Sequence, residues 1–165
     1  MASWLKETVS YLEQNSENAT QLVRKLLNTV NSRRISAGVC DSVAVIMVPH
    51  SDARTSERSH KEGSERMSDE ELNDNAWNLA WFCAKSNLLK EGETATVIDD
   101  NHDYAITLSR GRLSLTVTTV FRTRKGQNRY VDREDIVFVI PEGTKKIVRL
   151  SKPEHFKKCR VVRKK

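Results

Sequence analysis

Phosphodiester chemistry could be done by residues at two places in this chain. His60 stands between Arg58 and Lys61, and His102 with Tyr104 follows at a later turn. Metal-independent RNA cleavage needs a base for the 2′-hydroxyl, an acid for the leaving oxygen and a cation beside the phosphate. Arg58, His60, Lys61, His102 and Tyr104 hold those functional groups, provided the fold brings them together.

Asp99, Asp100 and Asp103 surround His102 and could present oxygens to a divalent ion for two-metal hydrolysis. Aspartate and asparagine are also the commonest turn residues, and no Glu-x-Lys pair follows on the next strand, so no metal is expected. Asp69, Glu70, Glu71 and Asp74 suit the positive end of a helix. The chain has no Walker loop, no G-x-G-x-x-G, no G-x-S-x-G and no H-E-x-x-H, so neither a nucleotide-dependent enzyme nor a cofactor is expected.

Cations make a broader pattern. "FRTRKGQNRY" places Arg122, Arg124, Lys125 and Arg129 around Gly126 with no acid, and Tyr130 offers a stacking surface. The terminal "KPEHFKKCRVVRKK" adds Lys157, Lys158, Arg160, Arg163, Lys164 and Lys165 against Glu154 alone, with Phe156 as a second ring. Residues 110–165 hold 17 Lys/Arg and 5 Asp/Glu, whereas residues 1–109 hold 11 and 17. That asymmetry makes the C-terminal part an attractor of anions. Nucleic acid is the commonest such partner, because each neutralised phosphate releases a counterion. Lys and Arg on sheet edges also prevent aggregation, so a basic turn alone decides nothing.

The elements that must position these groups can be read from periodicity. Leu5, Val9 and Leu12 predict a first helix that Ser3 could cap. Ala19, Leu22, Val23, Leu26, Leu27 and Val30 predict a second, with Ser16 as cap and Arg33 and Arg34 beyond its end. "VAVIMVP" reads as a strand buried on both faces. Residues 50–68 are too polar to join a core and read as a mobile loop. Ser68 and Glu71 form a capping box, with Met67 and Leu72 as staple, for a central amphipathic helix that Gly92 would stop.

From Thr94 the period falls to two, predicting strands "TATVID", "YAITLS", "RLSLTVTTVFR", "DIVFVI" and "KKIVRL" joined by tight turns. Leu113, Leu115, Val117 and Phe121 should then face the core. Ser114, Thr116, Thr118 and Arg122 should face away, toward solvent. The expected fold is α+β: an N-terminal helical pair, one central helix and a mostly antiparallel C-terminal meander. Residues 1–150 read as one domain and 151–165 as a basic tail.

No apolar run approaches the ~20 residues of a membrane helix. The N-terminus lacks the basic and apolar blocks of a secretory signal, which points to the cytoplasm. Cys40, Cys83 and Cys159 are odd in number and widely spaced, arguing against both a disulfide framework and a zinc knuckle.

The leading expectation is a small basic accessory protein that binds nucleic acid, RNA ahead of DNA, through Arg122, Arg124, Lys125, Arg129, Tyr130 and the tail cations. A metal-independent ribonuclease is the alternative enzyme: Arg54 and His60 fit the Arg-x4–6-His spacing of helical ribonucleases, and a histidine-bearing segment ahead of a strand-rich half is similar in architecture to small bacterial RNase toxins. A third reading is a phage- or viral-type inhibitor or adaptor engaging a partner, such as an acidic protein surface, with Trp4 among its contacts.

Overall fold

The computed structural model describes residues 3–30, 35–49, 67–123 and 136–150. Helix α1 (Ser3–Gln14) buries Leu5, Val9 and Leu12, and α2 (Ala19–Thr29) buries Ala19, Leu22 and Leu26. Both stripes enter one cluster with Ile35, Ala44 and Ile46. The cap of α2 is Asn18 instead of Ser16: its side chain accepts from the Gln21 N–H at 2.8 Å. Ser16 turns back and donates to the Leu12 carbonyl at 2.7 Å. Both residue types can cap, and the length of the α1–α2 turn decides between them.

Helix α3 (Asp69–Lys85) begins as its sequence dictates. The Ser68 hydroxyl accepts from the Glu71 N–H at 3.1 Å and lies 3.2 Å from Glu71 Oε1. Met67 packs against the core beside fully buried Leu72, as a hydrophobic staple does. The stop comes earlier than Gly92. Asn87 adopts φ 53°, its N–H donates to Ala84 O, and the Leu88 N–H donates to Cys83 O. This is a Schellman closure with asparagine in the left-handed position, while Gly92, at φ 89°, bends the later approach to β3.

Seven strands form one sheet: β1 (Ser36–Cys40), β2 (Val43–Met47), β3 (Thr94–Asp99), β4 (Tyr104–Arg110), β5 (Ser114–Arg122), β6 (Ile136–Ile140) and β7 (Val148–Leu150). Their order is β1-β2-β5-β4-β3-β6-β7. The α+β class holds, but the sheet is mixed and not a meander. Consecutive strands pair antiparallel in β1-β2, β3-β4-β5 and β6-β7, but β2 pairs parallel with β5, and β3 parallel with β6. "VAVIMVP" supplies the inner strand β2, buried as expected, while β1 is a strand that its small side chains did not announce.

The parallel neighbours β2–β5 and β3–β6 are not consecutive in the chain, and α3 lies in the connection from β2 to β3. Strands β5 and β6 have β4 and β3 between them, so they do not pair as a hairpin; the "RKGQN" stretch expected to join them lies outside the described residues.

A bulge in β5 overturns the expected parity. Thr107 pairs with Thr119 but Leu108 pairs with Val117, leaving Thr118 as an extra residue. The side-chain alternation therefore slips by one beyond Thr118. Leu115, Val117 and Val120 share the large cluster under α3, while Phe121 packs on the opposite face with Ile98, Ala105, Val137 and Val139. Arg122 is carried to the α3 side. Leu113 joins the α1–α2 cluster instead of following Leu115, and Ser114 and Thr116 are buried instead of solvated.

Candidate functional site

Arg122 was expected to meet phosphate; the bulge points it instead at the start of α3. Its Nη2 donates to the Met67 carbonyl at 2.7 Å and to Asp69 Oδ1 at 2.9 Å. The Arg122 side chain is 5% exposed and that of Asp69 24%. Nε and Nη1 of Arg122 are buried, with no hydrogen-bond partner among the described residues. A guanidinium so enclosed ties strand to helix and presents nothing to an external polyanion.

One strand away, Tyr104 pairs with Arg122 in the β4–β5 ladder and with Asp99 in the β3–β4 ladder. The Tyr104 hydroxyl donates to the Asn75 carbonyl of α3 at 3.1 Å. Burial pushes its phenol well above the usual range, and the Asp99 carboxylate adds to the shift. Tyr104 is thus a buried neutral tether, unsuited to the acid role sequence spacing allowed it.

Asp99 is the organising acid of this corner. It is 6% exposed, accepts from the Asn101 N–H through Oδ1 at 2.9 Å, and holds His102 Nδ1 at 2.9 Å through Oδ2. The His102 side chain is 53% exposed, so a buried carboxylate orients a ring that reaches solvent. A carboxylate on Nδ1 favours the tautomer whose Nε2 can accept a proton. The turn is itself clamped: Asn101 Nδ2 donates to Thr144 O at 2.8 Å, and its Oδ1 accepts from the Gly143 N–H at 2.8 Å. Among the described residues no three His, Cys, Asp or Glu side chains converge to hold a metal ion.

The remaining described cations of the C-terminal third divide into two groups. Arg110 and Arg112 are spent on structure: Arg112 Nη2 donates to the Glu13 and Ser16 carbonyls at 2.6 and 2.7 Å, and Arg110 Nη1 reaches Gly111 O. The Glu13 carboxylate completes this clasp, accepting from the Leu113 N–H at 2.8 Å and the Ser114 hydroxyl at 2.5 Å. Lys145, Lys146 and Arg149 behave differently. They are exposed along the approach to β7 and on β7 itself, and none is in an ion pair among the described residues. In the sequence "KKIVRL" reads as a strand; its position at the sheet edge is what exposes these cations.

Arg124, Lys125, Arg129, Tyr130, Lys157, Lys158, Arg160, Arg163, Lys164 and Lys165 lie outside the described residues, as do Arg58, His60 and Lys61. Of the sequence-derived site residues the structure therefore locates Arg122, His102 and Tyr104, and it sets all three at one corner of the sheet around Asp99 and Asp69. No family model, no curated protein and no solved structure matches this chain. No helix among the described residues is long and apolar enough to cross a membrane.

Proposed function

We propose that this protein binds nucleic acid, with RNA preferred, through the basic β7 edge and the cationic segment that follows it. One observation supports the reading above the others: Lys145, Lys146 and Arg149 stand exposed at the strand after which the chain continues into Lys152, Lys157, Lys158, Arg160, Arg163, Lys164 and Lys165. Three cations on a fixed edge preceding seven more would give a continuous track for phosphates. Arg110, Arg112 and Arg122 are left out of that track because each is committed to the fold.

The test is fluorescence anisotropy of labelled single-stranded RNA and duplex DNA across a salt series. Changing Lys145, Lys146 and Arg149 together to Gln should lower the slope of log K against log salt by about 2, at ~0.7 per lost contact to a single strand. Deleting residues 157–165 should lower it further. Unchanged affinity and slope in both variants would reject the reading.

A second reading, a metal-independent ribonuclease, is favoured by the Asp99–His102 pair. Its His102 Nε2 would act as base for the 2′-hydroxyl, the carboxylate stabilising the imidazolium that forms. Labelled RNA incubated with the protein in EDTA should then be cut, and His102→Ala should abolish cutting. Intact RNA with the wild-type protein would dispose of this reading while leaving the binding proposal standing.

A further inference from the structure

The two edges of the sheet are built on opposite principles. At β7 the edge strand has three residues, carries Arg149 and is preceded by Lys145 and Lys146. At β1 it has five residues, Ser-Ala-Gly-Val-Cys, with no charge, no proline and no bulge. Proteins that must not pair edge to edge protect such strands with charge, proline or irregularity. β1 has none of these protections.

The register fixes which groups it offers. The Ala44 N–H donates toward β5, to Leu113 O, so Ala44 and Ile46 point their backbone groups away from β1. Val43, Val45 and Met47 therefore bond Cys40, Gly38 and Ser36. The N–H and C=O of Ala37 and Val39 point out from the sheet, and no hydrogen bond to them occurs among the described residues.

The flanks of this edge are apolar. On one face Trp77 and Trp81, a tilted pair with ring centroids 5.8 Å apart, cover Gly38 and remain half-buried. On the other face Val23 and Val30 pack beside Ala37 and Val39, and Leu27 on the same helix flank is 39% exposed.

We infer that β1 pairs antiparallel with β1 of a second copy about a two-fold axis at Gly38, extending the sheet across the dimer. In that register Ala37 opposes Val39 of the partner copy, so all four outward groups on each strand are used. Gly38 meets its own counterpart at the close, non-hydrogen-bonded position, where two strands approach to about 4.5 Å between Cα atoms. The absence of a side chain suits that approach. An axis perpendicular to the sheet brings both tryptophan pairs to one side of the seam and both Leu27 side chains to the other. These flanking side chains are needed, because five paired residues alone fall short of the ~1,200 Å² of a stable interface. The strand Ser-Ala-Gly-Val-Cys carries no charge, so the seam sets none of the like charges of two +6 chains against each other. Their basic β7 edges would lie about 60 Å apart, at ~4.8 Å per strand.

Sedimentation equilibrium of nuclease-treated protein in high salt should give twice the 18.9 kDa chain mass. Ala37→Pro removes only an outward N–H, a position where an edge strand tolerates proline, and should give a folded monomer. If that variant does not fold, hydrogen exchange of the wild type decides: the Ala37 and Val39 amides should be protected, and lose protection on dilution. A wild-type monomer overturns the proposal. So does a folded Ala37→Pro dimer, or protection of those amides that appears only when a different protein is added. None of these outcomes bears on binding at the β7 edge, which the salt slope reports separately.

Discussion

Asp69 and Arg122 give an asymmetric prediction that separates a structural cation from a ligand-binding one. Asp69→Ala leaves a guanidinium that is 95% buried with the Met67 carbonyl as its remaining partner among the described residues, its Nε and Nη1 already unpaired there. Breaking a buried pair from one side costs about 3–5 kcal/mol, and the partial exposure of Asp69 places this case at the lower end, about 3. Up to ~1 kcal/mol of that is the carboxylate's interaction with the helix terminus, which Glu70→Ala in the same turn reports alone. Arg122→Met keeps the apolar stem and leaves Asp69 where water can reach it, so its cost should be about 1–2 kcal/mol.

The double variant should then be more stable than Asp69→Ala by itself. Urea and thermal denaturation followed by circular dichroism compare the four variants with the wild type. In a chain of this size Asp69→Ala should lower Tm by about 6–12 °C, at ~2–4 °C per kcal/mol. The reasoning fails if Arg122→Met leaves stability untouched while reducing the salt slope of RNA binding by one contact. Arg122 would then be a phosphate ligand.

Further expectations concern the clasp and the buried thiol. Gly111→Ala would set a Cβ 2.5 and 2.6 Å from the Glu13 carboxylate oxygens and 2.8 Å from Ser114 Oγ, so it should destabilise by about 1–3 kcal/mol in the same assay. Glu13→Ala should cost about 2–4 kcal/mol by orphaning the Leu113 N–H and Ser114 hydroxyl that it now satisfies, and Glu13→Gln less. Burial pushes the Cys83 thiol up from 9.0 to about 12. The folded chain therefore holds its proton where the unfolded chain releases it. The stability this involves is intact below pH 9.0 and is lost as pH rises through about 12. Between pH 8 and pH 10.5 the wild type should lose about 1–2 kcal/mol more stability than Cys83→Ala, at ~1.4 per pH unit above the unfolded value.

Local chemistry was legible wherever one segment carried the whole signal. Ser68, Glu71, Met67 and Leu72 define the start of α3 by contacts within five residues, and the structure has them all. The stripes of α1 and α2, the buried strand Val43–Met47 and the turns at Asp100–Asp103 and Glu142–Thr144 are equally local. Errors began where two near-equivalent residues competed, as Ser16 did with Asn18, or Gly92 with Asn87.

What the sequence determined alone is the inventory: helices where the period is 3.6, strands where it is 2, and an excess of cations in the final third. Tertiary structure decided the surroundings of the described ones, Arg110, Arg112, Arg122, Lys145, Lys146 and Arg149. One extra residue in β5, invisible to an alternating pattern, turned Arg122 from solvent to Asp69. Strand order, which does not follow chain order, set β4 and β3 between β5 and β6, two strands expected to pair, and put Lys145, Lys146 and Arg149 at an edge. Periodicity records which side of its own strand a residue occupies; only the assembled sheet says what lies opposite that side.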